Sequence, residues 1–198
     1  YLPQQNKRDM GENIDIPGEI TAKGKRVVIL GGGDTGADCL GTAHRQGAKE
    51  VRQFEILPEP PQARQPGNPW PEWPMVLRLS AAHEEGGVRG YKMLTKAFSG
   101  SGGKVRKLHG VRVDWNLSIE NGGYNMSELP GTDFEVETDL VLLALGFLHP
   151  ERGGLLNDLG VKLNSRGNVE VDDNKATSVE GVFAAGDAAR GQSLVVWA

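Results

Sequence analysis

The feature that most constrains this chain is a glycine pattern, Gly31-x-Gly33-x-x-Gly36, set between an apolar run and a helical one. Lys25–Leu30 (Lys-Arg-Val-Val-Ile-Leu) is short and β-branched at its centre, as expected of a parallel strand buried on both faces. Ala37–Gln46 follows, with Cys39, Leu40 and Ala43 near one helical face, and Gly47 stops it. Such a triplet arises easily by chance in a chain holding 28 glycines in 198 residues. Its context is what gives it weight: a strand before, a helix after, and an acid, Glu55, 19 residues beyond Gly36, close to the ~20 typical of dinucleotide sites. Gly31 permits the sharp turn, Gly33 lets a pyrophosphate approach the backbone, and Gly36 lets the helix pack on the strand. The helix start then offers free amides and a partial positive charge to phosphates. Asp34 and Thr35 complete the candidate turn, Asp34 being expected to cap the helix by accepting backbone N–H bonds.

The rest of the chain reads as an α/β protein. Residues 1–22 are polar and irregular. Glu50–Leu57 is a second strand. Pro58 to Pro74 holds seven of the eleven prolines together with Trp70 and Trp73, which argues against regular structure. It is either a proline-rich recognition peptide or an ordered loop beside a ligand site, and the burial two tryptophans require favours the loop. Met75–Glu85 has helical spacing, ended by Gly86-Gly87. Gly90–Phe98, Val105–Leu117 and Phe134–Glu137 read as an antiparallel meander. Asp139–Phe147 is the most apolar run and reads as a central buried strand, and Gly181–Ala185 as a short final strand. The order β–α–β, helix, meander, buried strand predicts a Rossmann-like nucleotide-binding domain with a central parallel sheet and a β-meander crossover.

Several function classes are disfavoured. The net charge is -4 with no clustered basic run, so no nucleic-acid partner is expected. No run of 18 apolar residues exists, so no membrane partner is expected, and a cytoplasmic location follows as the expectation. Tyr1–Asp9 is polar and lacks a secretory pattern; the chain reads as a piece of something longer. Cys39 is the single cysteine and is expected to be a small apolar residue on a helix, since it has no partner for a disulfide or a redox pair. His83-Glu84-Glu85 lacks metal-ligand spacing. Ser80 and His83 share a helix face without any oxyanion-hole signature, so no triad is assigned. For hydride transfer the cofactors carry the chemistry, and no catalytic acid or base is named.

Coenzyme choice rests on the end of the second strand. Glu55 is placed to bond ribose hydroxyls, which favours NADH. Arg64, further on, keeps NADPH open. Arg52 lies on the strand and is expected to point away.

Three segments together carry a resemblance. Residues 28–47 (VILGGGDTGADCLGTAHRQG), 57–74 (LPEPPQARQPGNPWPEWP) and 181–197 (GVFAAGDAARGQSLVVW) closely resemble the small-subunit family of glutamate synthase. That family belongs to the two-dinucleotide flavoproteins, with relatives in dihydropyrimidine dehydrogenase and thioredoxin reductase. The resemblance implies a glutathione/thioredoxin-reductase-like NAD(P)H domain over 23–150. It is flanked by remnants of an FAD domain at 1–22, as linker or remnant, and at 151–198. It also implies that NADH or NADPH passes hydride to FAD in the intact protein. Electrons then run through iron–sulfur clusters, held by a cysteine-rich region N-terminal to this stretch, to a large subunit or domain. There glutamate is made from glutamine and 2-oxoglutarate. Gly146 matches the family's return segment, Gly186 and Asp187 its flavin motif, and Gln192 and Ser193 positions flanking the flavin ring. Val195, Val196 and Trp197 are expected to pack a helix of that FAD domain. The first flavin fingerprint is not in this stretch, so by itself it is not expected to hold FAD tightly. A disulfide reductase is disfavoured by the missing Cys-x-x-Cys pair, and a nucleotide sensor by the second cofactor motif.

Overall fold

The computed structural model describes residues 1–12, 18–71, 75–117 and 124–192. The chain divides into two compact units, Tyr1–Leu145 and Gly146–Ala198.

The first unit is built on a parallel sheet. Strands β1 (Arg26–Leu30), β2 (Glu50–Phe54), β3 (Val88–Gly90) and β8 (Leu140–Leu143) lie in the order β3-β2-β1-β8, and all three pairings are parallel. Strand β1 is apolar throughout its centre because both faces are covered. Val27 and Ile29 point to one side and cluster with Cys39, Leu40 and Ala43 of helix α2 (Asp34–Arg45). Val28 and Leu30 point to the other and cluster with Phe54, Leu108 and Val136. The period of two along a strand thus splits one run between two cores. Each fully buried aliphatic side chain contributes about 1.5–3 kcal/mol. Cys39 is a buried core residue, as expected.

The second core is roofed by the meander β4 (Met93–Ser101), β5 (Lys104–Leu117), β6 (Tyr124–Glu128) and β7 (Phe134–Glu137). Strand β5 pairs antiparallel with the other three. Phe134 meets Phe54 edge-to-face, with centroids 6.0 Å apart. The chain returns to β1 through a polar clasp. The Asp139 carboxylate accepts from the Arg26 backbone N–H at 3.1 Å, from Nε at 3.0 Å and from Nη2 at 3.1 Å. The fully buried Thr138 hydroxyl donates to the Arg26 and Leu140 carbonyls.

Several local expectations change. Residues 2–9, read as irregular, form helix α1 (Leu2–Asp9). It is too polar to announce itself by periodicity. Tyr1 and Leu2 pack on the first core, and Gln46 ties the helix down by donating to Gln5 Oε1 (2.8 Å) and accepting from the Tyr1 hydroxyl (3.2 Å). Of the helix predicted over Met75–Glu85, only α3 (Ala81–Glu84) forms. The preceding residues are extended: the Leu77 amide donates to the Pro61 carbonyl and the Met75 amide to the Asn68 side chain. Met75 and Leu79 are exposed, so no core rewards a helical stripe there. The strand within Asp139–Phe147 is only Leu140–Leu143, and it lies at one edge of the described sheet rather than at its centre.

The second unit contains α4 (Leu155–Leu159) and α5 (Asp187–Arg190). The predicted strand over Gly181–Ala185 is reduced to an isolated bridge between Ala176 and Phe183, and a second bridge joins Leu163 and Val169.

Candidate functional site

The glycine turn leaves β1 and enters α2. Gly31 has φ +115°, and a Cβ there would collide with the Ala144 carbonyl oxygen. Gly36 is pressed against the Gly31 carbonyl and against Gln53 Nε2, 2.5 Å from an ideal Cβ. Gly33 differs from both: nothing lies within 4 Å of where its Cβ would be. Gly31 and Gly36 are therefore demanded by the fold, whereas the room beside Gly33 is unfilled. Gly33 is also the residue before the first turn of α2, where unpaired amides and the helix dipole favour an anion. Asp34 does not cap. It is the first helical residue, one position too late to reach back, and makes no capping bond. Its carboxylate instead borders the space beside Gly33. Thr35 is exposed on the same turn.

This turn forms one wall of a cleft of about 920 Å³, within the ~300–1,000 Å³ usual for small-molecule sites. Gln53 and Glu55 of the β2 end line it, as do the Leu57–Pro61 strap and residues 75–78. Ser80, His83, Arg89, Tyr91 and Trp115 complete the lining. Of the proline-tryptophan segment, residues 58–61 line the cleft; Trp70 is 83% exposed, so the burial expected of it does not occur, and Trp73 lies outside the described residues. The Trp115 indole donates to the Ile56 carbonyl at 2.8 Å.

Glu55 is in the cleft, half-buried. Its Oε2 accepts from the Gly32 amide at 2.6 Å and its Oε1 from the Leu57 amide at 2.9 Å. One carboxylate thus joins the glycine turn to the strap, and each oxygen keeps a further lone pair for a ligand hydroxyl. Arg64 is not among the lining residues; its Nη1 donates to the Asn68 carbonyl at 2.9 Å. The cations lining the cleft are Arg78 and Arg89. Arg52 bonds Glu50 along its own strand.

Gln53 and His83 are what sequence reading missed. Gln53 is 2% exposed on the α2 side of the sheet and donates from Nε2 to the Gly31 carbonyl at 2.9 Å. Its Oε1 is 2.9 Å from His83 Nε2. The available signal was a polar residue at the position two after Val51, on the same inward face of the strand, since such groups are buried only when bonded. Among the described residues no cluster suited to a metal ion occurs, and none of the helices there is long and apolar enough to cross a membrane.

In the second unit, Gly186 (φ +59°) opens α5, and Asp187 is its exposed first residue. Gly146 (φ +80°) faces Gln192, whose Oε1 accepts from the Phe147 amide at 3.1 Å. Ser193, Val195, Val196 and Trp197 lie outside the described residues. The Asn168 side chain beside Gly191 is buried, and its Oδ1 has no partner among the described residues.

A family model described as pyridine nucleotide-disulphide oxidoreductase matches residues 4–198. The chain belongs to that family. It is 56% identical to the glutamate synthase [NADPH] small chain of Mycobacterium tuberculosis, over all of its own length and 40% of that protein. It is 42% identical to the glutamate synthase [NADH] of Saccharomyces cerevisiae, over all of its length and 10% of that protein. The chain therefore spans well under half the length of these curated relatives. Among solved structures it is similar to T. acidophilum thioredoxin reductase, with TM-score 0.54 and 29% identity over 86% of this chain and 46% of that one. The parallel sheet with its helices and meander is the α/β nucleotide-binding fold expected from the sequence.

Proposed function

We propose that the cleft beside Gly33 binds NADH or NADPH, and that the chain is the electron-input part of a glutamate synthase small subunit. The observation that carries the first half is the unfilled space at Gly33, facing the start of a twelve-residue helix. The pyrophosphate sits there, on the amides of the first α2 turn. Glu55 takes the adenosine ribose, and the strap covers the adenine. The second half is supported by similarity, along all of this chain, to part of a protein named glutamate synthase [NADPH] small chain and part of one named glutamate synthase [NADH].

In the second unit the orphaned Asn168 Oδ1 suits a polar ligand. Gly186, Asp187 and Gln192 are the residues there that would hold FAD in the intact protein, together with Ser193, the next residue in the sequence. Flavin supplies an acceptor for a hydride pair and can release electrons singly. This chain's own part is to bind and orient the nicotinamide coenzyme. The remaining partners in this reading rest on the resemblance of the sequence motifs: iron–sulfur clusters outside this stretch and a large subunit that forms glutamate from glutamine and 2-oxoglutarate, all in the cytoplasm.

Calorimetric titration of NADH and NADPH into the chain and into Gly33→Ala tests the site. The variant is expected to lose at least about tenfold in affinity, while stability changes by no more than about 1 kcal/mol, the usual scale at a helix N-cap. A wild-type chain that binds neither coenzyme refutes the reading. For the assembled enzyme, the readout is glutamate formed from glutamine and 2-oxoglutarate as NADH or NADPH is oxidised. Coenzyme binding without that product would retain the site and reject glutamate synthesis.

A further inference from the structure

Three hydrogen bonds run in one direction from Ser80, at the start of α3, to the glycine turn. The Ser80 backbone N–H donates to His83 Nδ1 at 3.3 Å, and the Ser80 hydroxyl lies 3.0 Å from the same nitrogen. An amide N–H only donates, so Nδ1 is an acceptor and the proton of the neutral ring is on Nε2. That proton is donated to Gln53 Oε1 at 2.9 Å. At the other end the Gly31 carbonyl only accepts, so the Gln53 amide must present Nε2 to it, at 2.9 Å. The two ends agree: each bond fixes the orientation of the next, and Gln53 has no rotated alternative that keeps both partners.

We propose that His83 is a positioning residue for the dinucleotide, acting through Gln53 to hold the Gly31 peptide and with it the amides of the turn. The proposal rests on the reading that this cleft takes NAD(P)H. The Gly31 carbonyl is the last acceptor before the turn, and its peptide plane sets the direction of the Gly32 N–H, which Glu55 receives. Gly36 packs against the same carbonyl and against Gln53 Nε2, so a displaced Gln53 shifts the first turn of α2 as well. Ser80 begins α3 directly after the extended wall residues, so the bond chain also fixes that wall relative to the turn. Neutrality of the ring is supported by its surroundings: burial, with the Arg89 charge on β3 adding to it, holds the His83 imidazole below its ordinary range. The other charged or titratable groups are Glu84 on His83's own helix with Glu85 at its end, and Asp34, Asp38, Cys39, His44 and Arg45 on α2, where Arg45 pairs with Glu85.

The test measures NADH and NADPH affinity, by coenzyme fluorescence, in the full chain carrying His83→Ala, His83→Gln, Gln53→Leu, or His83→Ala with Gln53→Leu. Losing one net hydrogen bond predicts about 5- to 10-fold weaker binding for His83→Ala. His83→Gln places an amide donor near the lost Nε2 and is expected to recover affinity to within about twofold of wild type. In the Gln53→Leu background, removing His83 should change affinity by less than about twofold, because the bond it served is already gone. Should His83→Ala not fold, His83→Leu, closer in volume and equally without a donor, replaces it. Wild-type affinity in the donor-less variant, failure of His83→Gln to rescue, or multiplying effects in the double variant each overturns the proposal. A residue that only supports folding would lower the melting temperature and leave affinity intact, which also overturns it. A wild-type chain without coenzyme affinity instead removes the dinucleotide reading on which the proposal stands.

Discussion

Each unit contains a glycine-to-helix turn, and the two are built differently. The first leaves a strand buried on both faces, is crowded at Gly31 by the Ala144 carbonyl, and enters a helix with seven buried residues. The second, Gly186-Asp187, leaves an isolated bridge and opens a four-residue helix with no buried residue. Its internal support comes from the Ala189 and Arg190 amides on the Gly186 carbonyl. The pattern in the sequence is similar; the stiffness is not. A glycine followed by an acid marks a turn, but only flanking elements with a core of their own hold that turn rigidly.

The largest expected effect breaks that difference directly. Gly31→Ala must relieve both a positive φ and a collision with a backbone oxygen that cannot swing away. The expected cost is about 3 kcal/mol or more in denaturant unfolding, with loss of coenzyme binding. Gly186→Ala must relieve a positive φ of +59° and should cost about 1–2 kcal/mol. Equal costs would mean that the two turns are equally well built, contrary to the packing.

Next in size is the clasp that seats β8 beside β1 and so holds Ala144 against Gly31. Asp139→Ala leaves Arg26 without its main acceptor and is expected to destabilise by about 2 kcal/mol, as for hydrogen bonds to charged groups. The Arg26 guanidinium and backbone amide hold the Asp139 carboxyl down to about 2 from its ordinary 3.8. Because the folded value is the lower one, the unfolded chain binds the proton first. The stabilisation is complete above about pH 4 and is lost as pH falls towards 2. Acid unfolding followed by circular dichroism should show this slope in the wild type and a shallower one in Asp139→Asn. Identical slopes would remove Asp139 from the account.

How much of this was legible follows the same contrast. The glycine turn, β1, α2, β2 and the meander were readable because local pattern and burial agree there: Val27 to Leu30 are apolar and are in fact buried. Helix α1 was not, since its attachment runs through Gln5 and Gln46 rather than through an apolar stripe. Met75–Glu85 misled for the opposite reason: the apolar spacing is present, but the backbone is drawn into an extended wall by Pro61 and Asn68. Strand β3 is three residues behind two glycines, too short to show a period. Glu55, at the end of a readable strand, lines the cleft, while Gln53 and His83 meet across 30 residues, a contact that no local window contains.

The smallest expected effect concerns which coenzyme the first turn prefers. Glu55 does two things at once. It receives the Gly32 and Leu57 amides, and it faces the space assigned to the adenosine ribose. Removing it should weaken both coenzymes, so affinity for either one alone says little about selection. The ratio is the informative quantity. A carboxylate at the ribose favours a free 2′-hydroxyl and repels a 2′-phosphate, and Arg89 lines the same cleft as a cation. Glu55→Ala is therefore expected to move the NADH-to-NADPH affinity ratio towards NADPH by about 3- to 10-fold, up to ~1.4 kcal/mol. Glu55→Gln should give a smaller shift of the same sign, because the amide keeps a carbonyl acceptor but loses the charge. A ratio unchanged in both variants would leave Glu55 as a brace of the turn and assign coenzyme choice to the cationic wall instead.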